Sequence, residues 1–182
     1  MSKKVVILTF SPRKSGNCGK IADFIGDFHM RTNVQMFEIT AKNYLPCNGC
    51  DYECLNRAAC PAATAYQKQV MDAVMDSDLT YYIVPNFCGW PNANFFAFNE
   101  RSVGYFAMDR SKLQQYMSVP KKFVIVSNTE SDTFYNAMKQ QTSAQPKLMY
   151  LKTGKYAKRS TAGDLMESED ARNDLLAYLK EE

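Results

Sequence analysis

Lys4-Val5-Val6-Ile7-Leu8-Thr9-Phe10 is a near-continuous apolar run rich in β-branched residues. That pattern marks a strand buried on both faces, as in parallel sheets. Turn chemistry in Ser11-Pro12-Arg13-Lys14-Ser15-Gly16-Asn17 breaks the run. From Asn17 to about Met30 the apolar positions Ile21, Phe24, Ile25 and Phe28 fall at helical spacing. Val34, Met36, Phe37 and Ile39 predict a second strand within Asn33–Thr40. An irregular insertion, Pro46–Pro61, comes next, and Thr64 is placed to cap a helix running to about Asp76. Leu79–Val84 reads as a third strand stopped by Pro85. After the loop Asn86–Ala93, one long aromatic-rich helix is predicted to end near Ser118. Phe123-Val124-Ile125-Val126 forms the fourth strand, within Lys121–Ser127. Asp132–Gln141 reads as a helix, Lys147–Leu151 as a fifth strand and Glu169–Lys180 as a terminal amphipathic helix.

Strands alternating with helices predict a doubly wound α/β sheet with right-handed crossovers. Ligands of such sheets bind beyond the carboxyl ends of the strands, where strand order reverses. Three loops leave those ends: Ser11–Cys18, Asn86–Trp90 and Ser127–Ser131.

Composition bounds the rest. A length of 182 residues, 46% hydrophobic and 23% charged, predicts one domain spanning 1–182 and excludes wholesale disorder. The net charge of +3 is too small to argue for nucleic acid, and Val5–Leu8 is too short for a signal-peptide core or a membrane span. Six cysteines without an export signal point to a reducing cytoplasm. Four of them, Cys47, Cys50, Cys54 and Cys60, fall within fourteen residues of the 46–61 segment. Three readings stay open: a [4Fe–4S] cluster, which needs four converging thiolates; a zinc site, which favours two Cys-x-x-Cys knuckles; and unligated thiols.

The first loop joins a buried strand to a helix N-terminus, whose unpaired N–H groups and dipole favour an anion by roughly 0.3–1 kcal/mol per charge. Ser11 and Ser15 add hydroxyls, Arg13 adds a guanidinium, Gly16 allows close backbone approach and Asn17 can cap the helix. The set suits a terminal phosphate; a capped turn with a solvated Arg-Lys pair is the alternative. No Walker or dinucleotide glycine pattern is present.

Ser-Pro-Arg-Lys-Ser-Gly-Asn after a first strand resembles the phosphate loop of the flavodoxin-like NAD(P)H-dependent FMN reductases. Pro85-Asn86-Phe87-Cys88-Gly89 is similar to that family's flavin loop, and Phe98-Asn99-Glu100-Arg101 to the motif on its next helix. Cys47-Asn48-Gly49-Cys50 resembles the insertion of its iron–sulfur flavoprotein branch. The sequence departs from the family at Phe10, which replaces a Gly, at Cys18, which replaces a Thr, and at Phe87, which replaces a Tyr.

The resemblance implies a flavodoxin-like five-stranded parallel sheet in three α/β/α layers. It implies an FMN-binding oxidoreductase that passes electrons from NAD(P)H to a small acceptor such as a quinone or free flavin. The alternatives are an iron–sulfur electron carrier and a non-enzymatic binding protein on the same fold. Implied for the FMN phosphate are Ser11, Arg13, Ser15, Gly16, Asn17 and Cys18; for the ring, Pro85, Asn86, Phe87, Cys88, Gly89 and Trp90; and in the fourth-strand loop, Asn128 and Thr129. Cys47, Cys50, Cys54 and Cys60 are the implied metal ligands. No catalytic side chain is required, because the cofactor supplies the chemistry. The implied partners are a small-molecule acceptor or a redox protein, and a homodimer or larger assembly.

Elsewhere, His29 is expected at the surface, where its charged form suits the end of the first helix. The basic-aromatic stretch Lys147–Arg159 reads as a flap over the sheet. The aromatic helix, with Phe95, Phe96, Phe98, Tyr105 and Phe106, carries more rings than one buried face needs, which predicts a subunit contact.

Overall fold

The computed structural model describes residues 3–57, 60–107 and 109–181. Residues 58 and 59 of the cysteine segment, and residue 108 of the predicted long helix, lie outside the described residues. Five strands form one parallel sheet: β1 (Val5–Thr9), β2 (Val34–Glu38), β3 (Leu79–Phe87), β5 (Lys121–Val126) and β6 (Leu148–Leu151). Their order is β2-β1-β3-β5-β6, and the two-residue β4 (Trp90–Pro91) pairs antiparallel with the end of β3. This is the flavodoxin-like order, with the reversal of direction between β1 and β3.

The two-faced burial expected of the strands divides the core into two layers. On one face Val6, Leu8, Tyr82, Val84, Phe123 and Ile125 pack with α2 (Ala65–Met75), α3 (Ala93–Phe106), α4 (Arg110–Ser118) and α5 (Asp132–Lys139). On the other, Val5, Ile7, Tyr81, Ile83 and Val124 pack with α1 (Asn17–Phe28) and α6 (Glu169–Lys180). The period-two alternation is the pleat itself, and each fully buried side chain contributes about 1.5–3 kcal/mol.

Three boundaries differ from the sequence expectation. β3 does not stop at Pro85 but runs to Phe87, with Pro85 in register with Val126. The Phe10 amide bonds to the Ile83 carbonyl, so Pro85, two residues on, faces the same side, beyond the end of β1. An N–H is not needed there. The predicted long helix is two: Asp109 leaves helical dihedrals and its carboxylate caps α4 through the Lys112 amide. Finally, α1 starts from Gly16 with no side-chain cap, so Asn17 is freed from the capping role expected of it. Thr64 does cap α2, in a reciprocal capping box with Gln67.

His29 is half-buried rather than solvated: its ring lies 3.0 Å from the Tyr81 hydroxyl, and burial lowers its pKa. Phe95, Phe98 and Phe106 are buried within the monomer, which absorbs most of the aromatic excess, although Phe96 stays exposed. No helix of the described residues is long and apolar enough to cross a membrane.

Candidate functional site

The three loops predicted to share an edge are tied together there. Asn86 of β3 donates to the hydroxyls of Ser127 (2.7 Å) and Thr129 (3.2 Å), joining the second loop to the third. The side chains of Asn92 and Asn94, at the start of α3, both donate to the Phe10 carbonyl (2.5 and 2.9 Å) and hold the end of the first. Phe10 turns wholly into the core against Tyr82, Phe95 and Phe98, so a bulky residue where the resembled family has Gly does not obstruct the edge.

The first loop closes tightly on α1. A Cβ on Gly19 would lie 2.2 Å from the Lys14 carbonyl oxygen, so only glycine lets the loop fold back over the first turn of the helix. Ser11 accepts from the Arg13 amide within the loop at 3.2 Å. Cys18, buried on the first turn, is held protonated: burial pushes its thiol pKa up to about 12, against the opposing charge of Arg13. As a buried, protonated thiol it is a weak donor there.

A cavity of about 370 Å³ opens at this edge, walled by Ser11, Pro12, Arg13, Asn17 and Cys18, by Pro85–Phe87, and by Val126, Ser160 and Thr161. The volume is in the range of small-molecule and cofactor sites. Of the residues implied for the phosphate, Ser11, Arg13, Asn17 and Cys18 line it; of those implied for the ring, Pro85, Asn86 and Phe87 do. Ser15 and Gly16 lie beside it in the loop, but not in its wall. Cys88 and Gly89, at φ 54° and 86°, form the two-residue turn of the β3–β4 hairpin, whose flanking Phe87 and Trp90 are both more than half exposed. Trp90 is not part of the wall.

The segment after β6 supplies what the sequence did not single out. It lies as a strap along the first loop, and Gly163 (φ 73°) approaches so closely that a Cβ there would sit 2.8 Å from the Ser15 carbonyl oxygen. Two N–H groups of Arg13 donate to the carbonyls of Thr161 (2.8 Å) and Ser160 (2.9 Å). Asn17 donates to the Ser160 carbonyl and accepts from the Leu165 amide at 3.0 Å. Asn128 donates to the Ser160 hydroxyl and accepts from Thr153 and Gly154. Arg13, Asn17 and Asn128 thus brace the strap, and the Ser160 and Thr161 side of it forms the outer wall. The turn-rich Ser160-Thr161-Ala162-Gly163 was the available signal. Glu130, whose charge would disfavour an electron-rich ring, is paired with Lys152 at 2.7 Å.

The four clustered cysteines lie elsewhere, on the α3 side. Cys47, Cys50, Cys54 and Cys60 line one cavity of about 280 Å³ with Glu100, Arg101 and Gly104. Cys54 stands on the short 3-10 turn Glu53–Leu55, Cys60 packs against Gly104, and Cys47 is exposed. Sharing a wall is not convergence: among the described residues no group of three or more His, Cys, Asp and Glu is placed to hold a metal ion. Among the described residues these thiols are not assembled as a [4Fe–4S] or zinc ligand set.

No family model matches the chain, and no curated protein matches it. Solved structures do. The Trp repressor binding protein from Bacillus subtilis superposes with a TM-score of 0.64 at 12% identity, over 98% of this chain and 99% of that one. A putative quinone reductase from Klebsiella pneumoniae gives 0.60 at 13%, over 99% and 86%. FerB, a flavoenzyme NAD(P)H:(acceptor) oxidoreductase from Paracoccus denitrificans, gives 0.57 at 12%, over 97% and 95%. At these identities the likeness is one of fold.

Proposed function

We propose that the protein is an FMN-binding oxidoreductase that takes electrons from NAD(P)H and passes them to a small acceptor such as a quinone or free flavin. The observation that carries this reading is the cavity at the carboxyl edge, where a helix N-terminus, Arg13 and an apolar-aromatic wall meet at the reversal point of the sheet. Several structures of the same fold are described as flavin- or quinone-linked oxidoreductases, which supports it further.

In this reading the amides at the start of α1, with Ser11 and Cys18, hold the phosphate, and the Ser160–Thr161 strap closes over it. Phe87 gives the ring an aromatic wall, and the backbone of 85–89 meets its polar edge. FMN, once bound, supplies hydride and single-electron transfer. The chain's own part is to orient the ring, shield it and keep Glu130 neutralised by Lys152. The open side of the hairpin, with Phe87 and Trp90 exposed, is where an acceptor or a second copy of the chain would approach. An iron–sulfur carrier role has no assembled ligand set among the described residues to support it.

A second reading, a non-enzymatic binding protein, is favoured by one observation: Arg13 directs its guanidinium at strap carbonyls. Incubation with excess FMN, removal of unbound flavin and an anaerobic absorption spectrum separate the two. A retained flavin spectrum that bleaches with NADH or NADPH is expected. A colourless protein would overturn the FMN reading, and retained flavin that neither nucleotide bleaches would favour the binding protein.

A further inference from the structure

On the α2–α3 face, away from the flavin-loop edge, two buried polar groups share a third cavity, next to that of the cysteines, and lack a counterpart. Tyr44 is 1% exposed, packed against Phe98, and its hydroxyl has no hydrogen-bond partner among the described residues. Arg101 is 8% exposed. Its Nε donates to the Leu45 carbonyl (3.0 Å) and one Nη to the Cys60 sulfur (3.5 Å). No carboxylate pairs with it among the described residues.

A buried cation without a counter-ion and a buried hydroxyl without an acceptor are each unfavourable. Here the two line one space of about 140 Å³ between α2 and α3. The other charges of the wall are already paired: Asp72 is taken up by Lys68 and Tyr105, and Lys112 pairs with Asp109, so no carboxylate among the described residues of the wall is left for Arg101. Gln67 is satisfied, its amide engaged by Thr64 and Leu45. Burial raises the pKa of the Tyr44 hydroxyl, so it remains protonated and able to donate. Both groups therefore call for an acceptor with negative charge, and Met71 and Ala63 provide an apolar side.

We propose that Tyr44 and Arg101 form a binding site for a small carboxylate, seated between α2 and α3 behind the cysteine segment. A carboxylate accepts from the Tyr44 hydroxyl with one oxygen and from the guanidinium with the other, and the apolar side takes a short carbon chain. A second occupant, a single water on Tyr44, would satisfy the hydroxyl but leave the buried charge of Arg101 uncompensated. The site is independent of flavin binding.

Thermal unfolding of the full chain in sodium acetate against sodium chloride, at equal ionic strength and with FMN present to fill the other anion site, tests this. A bound carboxylate raises the midpoint with concentration by mass action. The expected result is an acetate-specific rise for the wild type at about 100 mM, reduced roughly threefold or more in Tyr44→Phe. In chloride alone Tyr44→Phe should be at least as stable as the wild type, because it loses only an unpaired hydroxyl. Carbon-13 acetate line broadening that the wild type shows and Tyr44→Phe loses would give the same result without heating. An equal acetate response in both proteins, no response in the wild type, or a Tyr44→Phe protein destabilised in chloride would each overturn the proposal. A response to inorganic phosphate that exceeds the acetate response would overturn the carboxylate assignment.

Discussion

Arg13 shows how a residue chosen for its charge is used for its geometry. Its fork spans the Ser160 and Thr161 carbonyls (2.9 and 2.8 Å) and so fastens a strap that begins 147 residues later in the chain. Removing it should loosen the strap as well as lower the positive charge at the cavity. Arg13→Ala is expected to weaken FMN binding about tenfold, the worth of one or two charge-assisted bonds. It is also expected to speed tryptic cleavage at Lys158 and Arg159. Flavin titration and limited proteolysis read the two effects separately; unchanged values in both would remove both roles. The residue chemistry of the loop was legible beforehand only as far as seryl, arginyl and glycyl residues between a buried strand and a helix suit either an anion or a capped turn. The partner that Arg13 holds was not legible, because hydrogen bonds to backbone carbonyls leave no mark on the identity of the accepting residues.

At the level of elements, Asn92 joins helix and loop. Its side chain accepts from the Phe95 amide as the N-cap of α3 and donates to the Phe10 carbonyl at 2.5 Å. Asn92→Ala should cost about 2 kcal/mol, a cap of about 1 together with a buried carbonyl left partly unmet. Asn94 also bonds that carbonyl, which limits the loss. Denaturant unfolding measures it, and a loss near zero would show that Asn94 suffices. The split of the expected long helix has a similar logic. By turning at Asp109, the chain returns Tyr116 to the sheet, where it bonds Tyr82 (2.6 Å) and Gln141 (2.6 Å) in a buried chain that reaches Asn99. Apolar spacing alone could not show the break, since aromatic residues on both sides keep helical period; the capping Asp109 was its only sequence sign.

For the molecule as a whole, two lysines at the start of β5 lie at the two layers of the fold. Lys121 donates to the Tyr116 and Val119 carbonyls at the end of α4, and Lys122 to the Tyr178, Leu179 and Glu181 carbonyls at the end of α6. Burial lowers the Lys121 pKa to about 7. The folded state therefore binds fewer protons at this group than the unfolded state between pH 7 and the ordinary lysine value near 10.5. Stability should accordingly rise with pH across that window, by at most about 1.4 kcal/mol per unit, and be lost as pH falls back towards 7. Lys121→Met should flatten this slope in urea unfolding from pH 7 to 9, whereas an undiminished slope would assign the effect to another group. The five parallel strands and most of the helices were determined by the sequence alone, because apolar periodicity is a local property of the chain; the break between α3 and α4 and the short β4 were not. Only the tertiary structure decided that the strap after β6 walls the first cavity, that the four thiols share a cavity without forming a ligand group among the described residues, and that Tyr44 and Arg101 line one space. Those outcomes depend on which distant backbone and side-chain groups meet, and residue types read in order do not contain that distance.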